Sequence, residues 1–254
     1  MTGANHLRAG GGCQDAIFVH KYETGYVIAA VADGHGSKAC PYSEEGAKIA
    51  VDVVSKLLCS ILDSEEAQFT LASNKDDRIP KQLEFMWKEA VKTHHNKEGR
   101  DACDNDLELF MLYGTTLNVV AAVRDFVFFV KIGDGDVLMI NEDGVSHVLE
   151  AEDKIGEDTE SLCLKEAWKF VKTQIMQVKN DCPLMFLVST DGYSNSFTDK
   201  SGFLKAGEDF YRLWMEEGLG YIESSLEDWL RASSDKGSGD DISLALVVLE
   251  LEEV

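Results

Sequence analysis

Three stretches of this chain are apolar at nearly every position, and each meets an acidic residue beside a glycine. Tyr26 to Ala32 (YVIAAVA) runs into Asp33-Gly34-His35-Gly36, and Leu184 to Ser189 (LMFLVS) runs into Thr190-Asp191-Gly192. Ile242 to Leu249 closes the chain and follows Gly239-Asp240-Asp241. The runs are short and rich in residues that fit a pleated, buried surface, so they read as buried strands bounded by tight loops. Strands of this kind need other layers to cover them, which restricts the chain to a layered architecture.

The remaining pattern supplies those layers. Ser43 and Glu44 open a helix whose apolar face is Ala47, Ala50, Val54, Leu57, Leu58 and Ile61. A second helix is expected from about Pro80 to Lys97, with Leu83, Met86, Trp87, Ala90 and Val91 on one face and Pro80 in its first turn. The polar stretch 63–79 reads as a loop or a short helical extension, and 98–108 as an acidic loop. Thr116 to Val123 and Phe126 to Ile132 form a hairpin about Arg124-Asp125. Gly133-Asp134-Gly135 turns the chain into Val137 to Ile140, and Asn141 to Gly144 turns it again. Lys172 to Val178 reads as a further strand, and Phe203 to Ala232 as helix interrupted near Gly218 to Gly220. Strands in series with tight turns predict antiparallel sheets, so the class is α+β. No boundary divides the chain, and a single domain over 1–254 is expected.

Charge excludes whole classes of partner. Lys and Arg number 24 against 46 Asp and Glu, a net charge of −22. Binding to nucleic acid through phosphates, or docking on an anionic membrane, needs the opposite balance. No apolar run approaches the roughly 20 residues of a membrane span, and Met1 to Gly12 has no apolar core of a secretory signal. The cysteines, Cys13, Cys40, Cys59, Cys103, Cys163 and Cys182, are scattered and make no C-x-x-C pair. They read as reduced thiols of a cytoplasmic protein.

Asp33, Asp191 and Asp240 each sit at the end of a buried strand beside a backbone that can come close, which is how a rigid sheet presents carboxylates to a hard cation. Asp-Gly is also a common turn pair. Several such residues together favour the cation, because crowded carboxylates repel and raise one another's pKa without one. Asp134 belongs to the same class, or to an ordinary hairpin turn.

In order along the chain, Cys13-Gln14-Asp15-Ala16, Val31-Ala32-Asp33-Gly34-His35-Gly36, Gly114-Thr115-Thr116, Ile132-Gly133-Asp134-Gly135, Ser189-Thr190-Asp191-Gly192 and Gly239-Asp240-Asp241-Ile242-Ser243 resemble the blocks of the metal-dependent serine/threonine protein phosphatases of the 2C type, especially bacterial-style members. The resemblance spans about residues 3 to 249. It implies a four-layer α/β/β/α sandwich of two antiparallel sheets, with two Mg²⁺ or Mn²⁺ ions at one end and a weaker third. By position, Asp33 would bridge the two ions, the Gly34 carbonyl would bind one, and Asp191 and Asp240 would complete the other. Asp15 would act through a bound water, and Asp134 would hold the third ion together with Asp191. Asp241 stands where the family often has Asn and is expected beside the ligands. The implied reaction is hydrolysis of phosphoserine and phosphothreonine monoesters on proteins by a metal-activated water. His35 matches the proposed general acid, with a structural hydrogen-bonding role as the alternative.

One position departs from the pattern. Many members carry an Arg five residues before the residue matching Asp15, where it clamps the substrate phosphate; here that residue is Gly10. Arg8, and secondarily His6, are expected to supply the positive charge, Arg8 by forking onto phosphate oxygens. A flap is expected within about 143–181, acidic through Glu150, Glu152, Asp153, Glu157, Asp158 and Glu160. If it meets substrate it favours basic sequence around the phosphoresidue. A non-catalytic phosphoprotein-binding relative and a phosphatase of small phosphate esters are the alternative functions; the oligomeric state is not legible.

Overall fold

The computed structural model describes residues 1–149, 160–178 and 182–250. After a short N-terminal helix, α1 (Ala4–Ala9), come strands β1 (Ala16–Lys21) and β2 (Val27–Ala32), then helices α2 (Ser43–Leu62), α3 (Ala67–Asn74), α4 (Arg78–Lys97) and α5 (Asp106–Met111). Strands β3 (Leu117–Ala122), β4 (Phe126–Ile132), β5 (Asp136–Asn141) and β6 (Gly144–His147) follow in series. A short 3₁₀ turn at Ala167–Lys169 leads into β7 (Lys172–Gln177) and β8 (Leu184–Ser189). Helices α6 (Asp191–Ser194), α7 (Lys200–Glu217) and α8 (Leu219–Lys236) precede the last strand, β9 (Leu244–Leu249).

The strands form a five-stranded sheet in the order β1-β2-β3-β4-β7 and a four-stranded sheet in the order β6-β5-β8-β9. All pairings among the described residues are antiparallel. Successive side chains of a strand point to opposite faces, so a strand covered on both sides reads as an unbroken apolar run. In β2, Ile28, Ala30 and Ala32 face the helices α2 to α5, while Ala29 and Val31 face the other sheet. In β8, Phe186 and Val188 face the inter-sheet layer, while Met185 and Leu187 face α7 and α8. The result is three separate apolar interfaces between four layers, α/β/β/α, as expected. This also explains why antiparallel strands here lack the polar alternation of a half-exposed sheet.

The structure adds elements that the sequence pattern conceals. Residues 63–79 contain the separate helix α3, and the acidic loop ends in α5, whose N-cap Asn105 accepts a hydrogen bond from the Glu108 N–H. The N-terminal segment holds α1, and β1 escapes the pattern because only Ala16 of its six residues is buried: it is an edge strand. The final strand begins at Leu244, since Ile242 instead pairs its N–H with the Met1 carbonyl. Within 143–181, β6 and β7 belong to the two sheets; the acidic part 150–159 lies outside the described residues, and Glu160 inside them. No helix among the described residues is long and apolar enough to cross a membrane.

Phe129 and Phe186 join the two sheets, edge to face with centroids 5.5 Å apart, and both are fully buried. Phe129→Ala leaves a cavity between sheets that cannot collapse without sliding one on the other. It is expected to cost about 3–5 kcal/mol, read as a shift of the urea midpoint.

Candidate metal centre

Strand register brings the acidic loops to one end of the sandwich. Ala16 pairs with Ala32, which places Asp15 and Asp33 just beyond neighbouring strand ends. Ser189 pairs with Leu244 on one side and with Asp136 on the other. Asp191 therefore emerges between the Asp240 loop and the turn that carries Asp134. Carboxylate oxygens of Asp33, Asp134 and Asp191 lie within 4.8 Å of one another. Asp240 stands beside them, since a Cβ on Gly192 would sit 3.3 Å from the Asp240 Cβ.

Neighbouring groups fix each loop. The Asp33 N–H donates to Thr116 Oγ1 (3.0 Å), and the Asp33 carbonyl accepts from the Thr116 N–H (2.9 Å) and Thr115 Oγ1 (2.9 Å). Gly34 bridges to Thr115 and packs so tightly that a Cβ would lie 2.7 Å from the carbonyl oxygens of Gln14 and Ser43. Gly133, at φ +97°, makes the turn that presents Asp134. The buried Lys131 ammonium donates to the Gly135 carbonyl and holds that turn shut. Thr190 Oγ1 donates to Asp15 Oδ2 (2.7 Å). Among these groups Thr115, Thr116, Lys131 and Thr190 went without a role in the sequence reading. The threonines stood within its recurring blocks, whereas nothing marked Lys131.

Crowding shows in the titration of the acids. Burial, and then the charges of Asp15, Asp191, Asp240 and Asp134, push the Asp33 carboxyl up to about 10. Burial raises Asp15 to about 7, and burial with Asp134 and Asp240 raises Asp191 to about 6. Acids that resist ionisation this strongly describe a site built for added positive charge. The all-oxygen donor set fits a hard divalent cation. Asp33, Asp134 and Asp191 are the carboxylates that could hold it, with Asp240 and Asp15 alongside.

The other expected site residues, His35, His6 and Arg8, make contacts of their own. His35 is half-buried, its backbone N–H donates to the Gly114 carbonyl (3.0 Å), and burial lowers its imidazole pKa from 6.5. His6 Nδ1 lies 2.9 Å from Oδ2 of the buried Asp241. Arg8 is exposed on α1 and donates to Asn5 Oδ1 (3.2 Å).

Asp33 supplies a signed test. Its carboxyl ionises near 3.8 in an unfolded chain and near 10 in the metal-free fold. The fold therefore loses stability as pH rises between those values. Asp33→Asn removes that loss. The metal-free variant should melt roughly 5–10 °C above the parent at pH 8 and close to it at pH 4. Added Mn²⁺ should raise the melting temperature of the parent and leave that of the variant unchanged.

The comparisons agree with this geometry. A profile for the protein phosphatase 2C family matches residues 2–231. A search of curated proteins gave no match. Among solved structures, the chain is similar to the catalytic domain of the serine/threonine phosphatase PstP in complex with two manganese ions (TM-score 0.60, 14% identity, 94% of this chain and 93% of that one). It is also similar to a bacterial serine phosphatase (0.65, 16%, 96% and 94%) and to RsbX in complex with magnesium (0.51, 16%, 93% and 87%). With its six blocks gathered at one end of a four-layer sandwich, and with the family profile covering nearly the whole of it, the chain belongs to the protein phosphatase 2C family.

Proposed function

We propose that the chain hydrolyses phosphoserine and phosphothreonine on proteins, using divalent cations held by Asp33, Asp134, Asp191 and Asp240. The observation that carries this reading is the convergence of three carboxylates within 4.8 Å in a member of this family. Mg²⁺ or Mn²⁺, the ions bound by RsbX and PstP respectively, would supply a more acidic water as nucleophile and would neutralise phosphoryl oxygens. Retention of Asp33, Asp191 and Asp240 counts against a non-catalytic relative.

The protein's own groups do the remainder. Asp15, held by Thr190, orients water at the edge of the centre. Arg8, on the segment that replaces the family's usual arginine position, forks onto phosphate oxygens. His35 gives a proton to the departing serine or threonine oxygen, a strong base that benefits from a donor. A net charge of −22 supports a preference for basic sequence around the phosphoresidue. Six free cysteines support a reducing, cytoplasmic setting.

Phosphate release from a phosphothreonine peptide tests the reaction: it should require Mn²⁺ or Mg²⁺ and stop with excess EDTA. Metal-independent release, or none with Mn²⁺ bound, overturns it. The proton donor has its own test. His35→Gln should lower kcat about 10²–10⁴-fold on a phosphoserine peptide. On p-nitrophenyl phosphate, whose leaving group is a weak base, the same substitution should cost far less. Equal losses on both substrates would assign His35 a structural role.

A further inference from the structure

Asp241 is only 3% exposed, yet it sits beside Asp240 and close to the charge of Asp15. Burying a carboxylate there is costly unless its oxygens are hydrogen-bonded. They are. Oδ1 accepts from the Gly3 N–H at 2.6 Å, and Oδ2 from the Gln14 N–H at 2.7 Å. His6 Nδ1 lies 2.9 Å from Oδ2. One side chain thus holds both ends of the segment from Gly3 to Gln14, and the helix between them.

The same residue touches both flanks of the metal centre. Its own N–H donates to Asp240 Oδ1 (2.8 Å), so its backbone orients that carboxylate. Gln14, fixed by Oδ2, is the residue before Asp15. Further contacts tie the segment to the loop. The Asn5 N–H donates to the Gly239 carbonyl (2.8 Å), and the Ala4 N–H to Ser234 Oγ (3.1 Å), which in turn donates to the Asp240 carbonyl (2.9 Å). Gly3 lies flat on the Asp240–Asp241 peptide: a Cβ there would sit 2.2 Å from the Asp240 carbonyl carbon.

We infer that Asp241 is a positioning residue whose carboxylate clamps the N-terminal segment onto the loop carrying Asp240 and so sets the spacing of Asp240 and Asp15 across the centre. This rests on the metal-centre reading above. It explains why a carboxylate stands at 241. An amide has a single acceptor oxygen and would turn its NH₂ against one of two backbone N–H donors.

Two variants of the full chain test the clamp by different routes. Asp241→Asn removes one acceptor. Gly3→Ala leaves the carboxylate intact and wedges the segment off the loop. Amide hydrogen exchange over residues 3–14, measured without metal, and Mn²⁺ affinity by calorimetry are the readouts. Both variants should lose protection in that segment and weaken Mn²⁺ binding about 10–100-fold, the range for residues that orient metal ligands. Turnover should return towards the parent value as Mn²⁺ is raised.

Weakened Mn²⁺ binding in Asp241→Asn with the segment still protected would make Asp241 a ligand and overturn the clamp. A loosened segment with unchanged affinity in Gly3→Ala would overturn it too, as would two variants indistinguishable from the parent. Failure of the parent to release phosphate would sink the phosphatase reading alone, because exchange and affinity are read without turnover.

Discussion

Carboxylates packed together at the edge of a low-dielectric interior repel one another, and the rest of this fold is arranged to keep them there. Asp33 carries most of that conflict: burial and four neighbouring acids hold its proton on to about pH 10. A flexible loop would relieve the repulsion by moving apart. Here the acids sit at strand ends and turns, and the strands that carry Asp33 and Asp191, β2 and β8, are paired on both sides. The metal-free site therefore stores unfavourable electrostatic energy that a hard cation would release.

Register holds the acids in place. Three apolar interfaces bury both faces of the central strands, and a slip of one residue would turn every side chain to the wrong layer. The pairings Ala16 with Ala32 and Ser189 with Leu244 therefore fix the acidic loops as firmly as they fix the cores. Backbone contacts then set the last few tenths of an ångström. Gly34 and Gly192 bring loop backbones against other main chains at distances that a Cβ would forbid. The glycines beside the acids are thus part of how the carboxylates are brought close.

Much of this was legible in the sequence. Unbroken apolar runs such as Leu184 to Ser189 announce strands covered on both faces, and the acids at their ends announce what the strands present. The parts that were not legible depend on contacts distant in sequence. β1 is an edge strand with an exposed face, so it lacks the apolar signature of its neighbours. α1 is too short and polar to show periodicity. The tie between Asp241 and Gly3 joins residues 238 apart, and no local pattern records it. Nor does any local pattern record that His6 Nδ1 lies 2.9 Å from the Asp241 carboxylate.

The position of the centre bears on how the molecule comes apart. Asp15 and Asp33 extend from the five-stranded sheet, Asp191 and Asp240 border strands of the four-stranded sheet, and Asp134 lies on the turn where the chain passes from one to the other. Each sheet has its own helical cover and its own apolar interface with that cover. The molecule is in effect two half-sandwiches sharing a middle layer. A cation bridging the acids would join the halves at their rim, so ligand binding and the cooperativity of unfolding are coupled through the same few oxygens. Without it, the inter-sheet layer alone must keep the halves in register; with it, separation of the sheets would also require release of the ion.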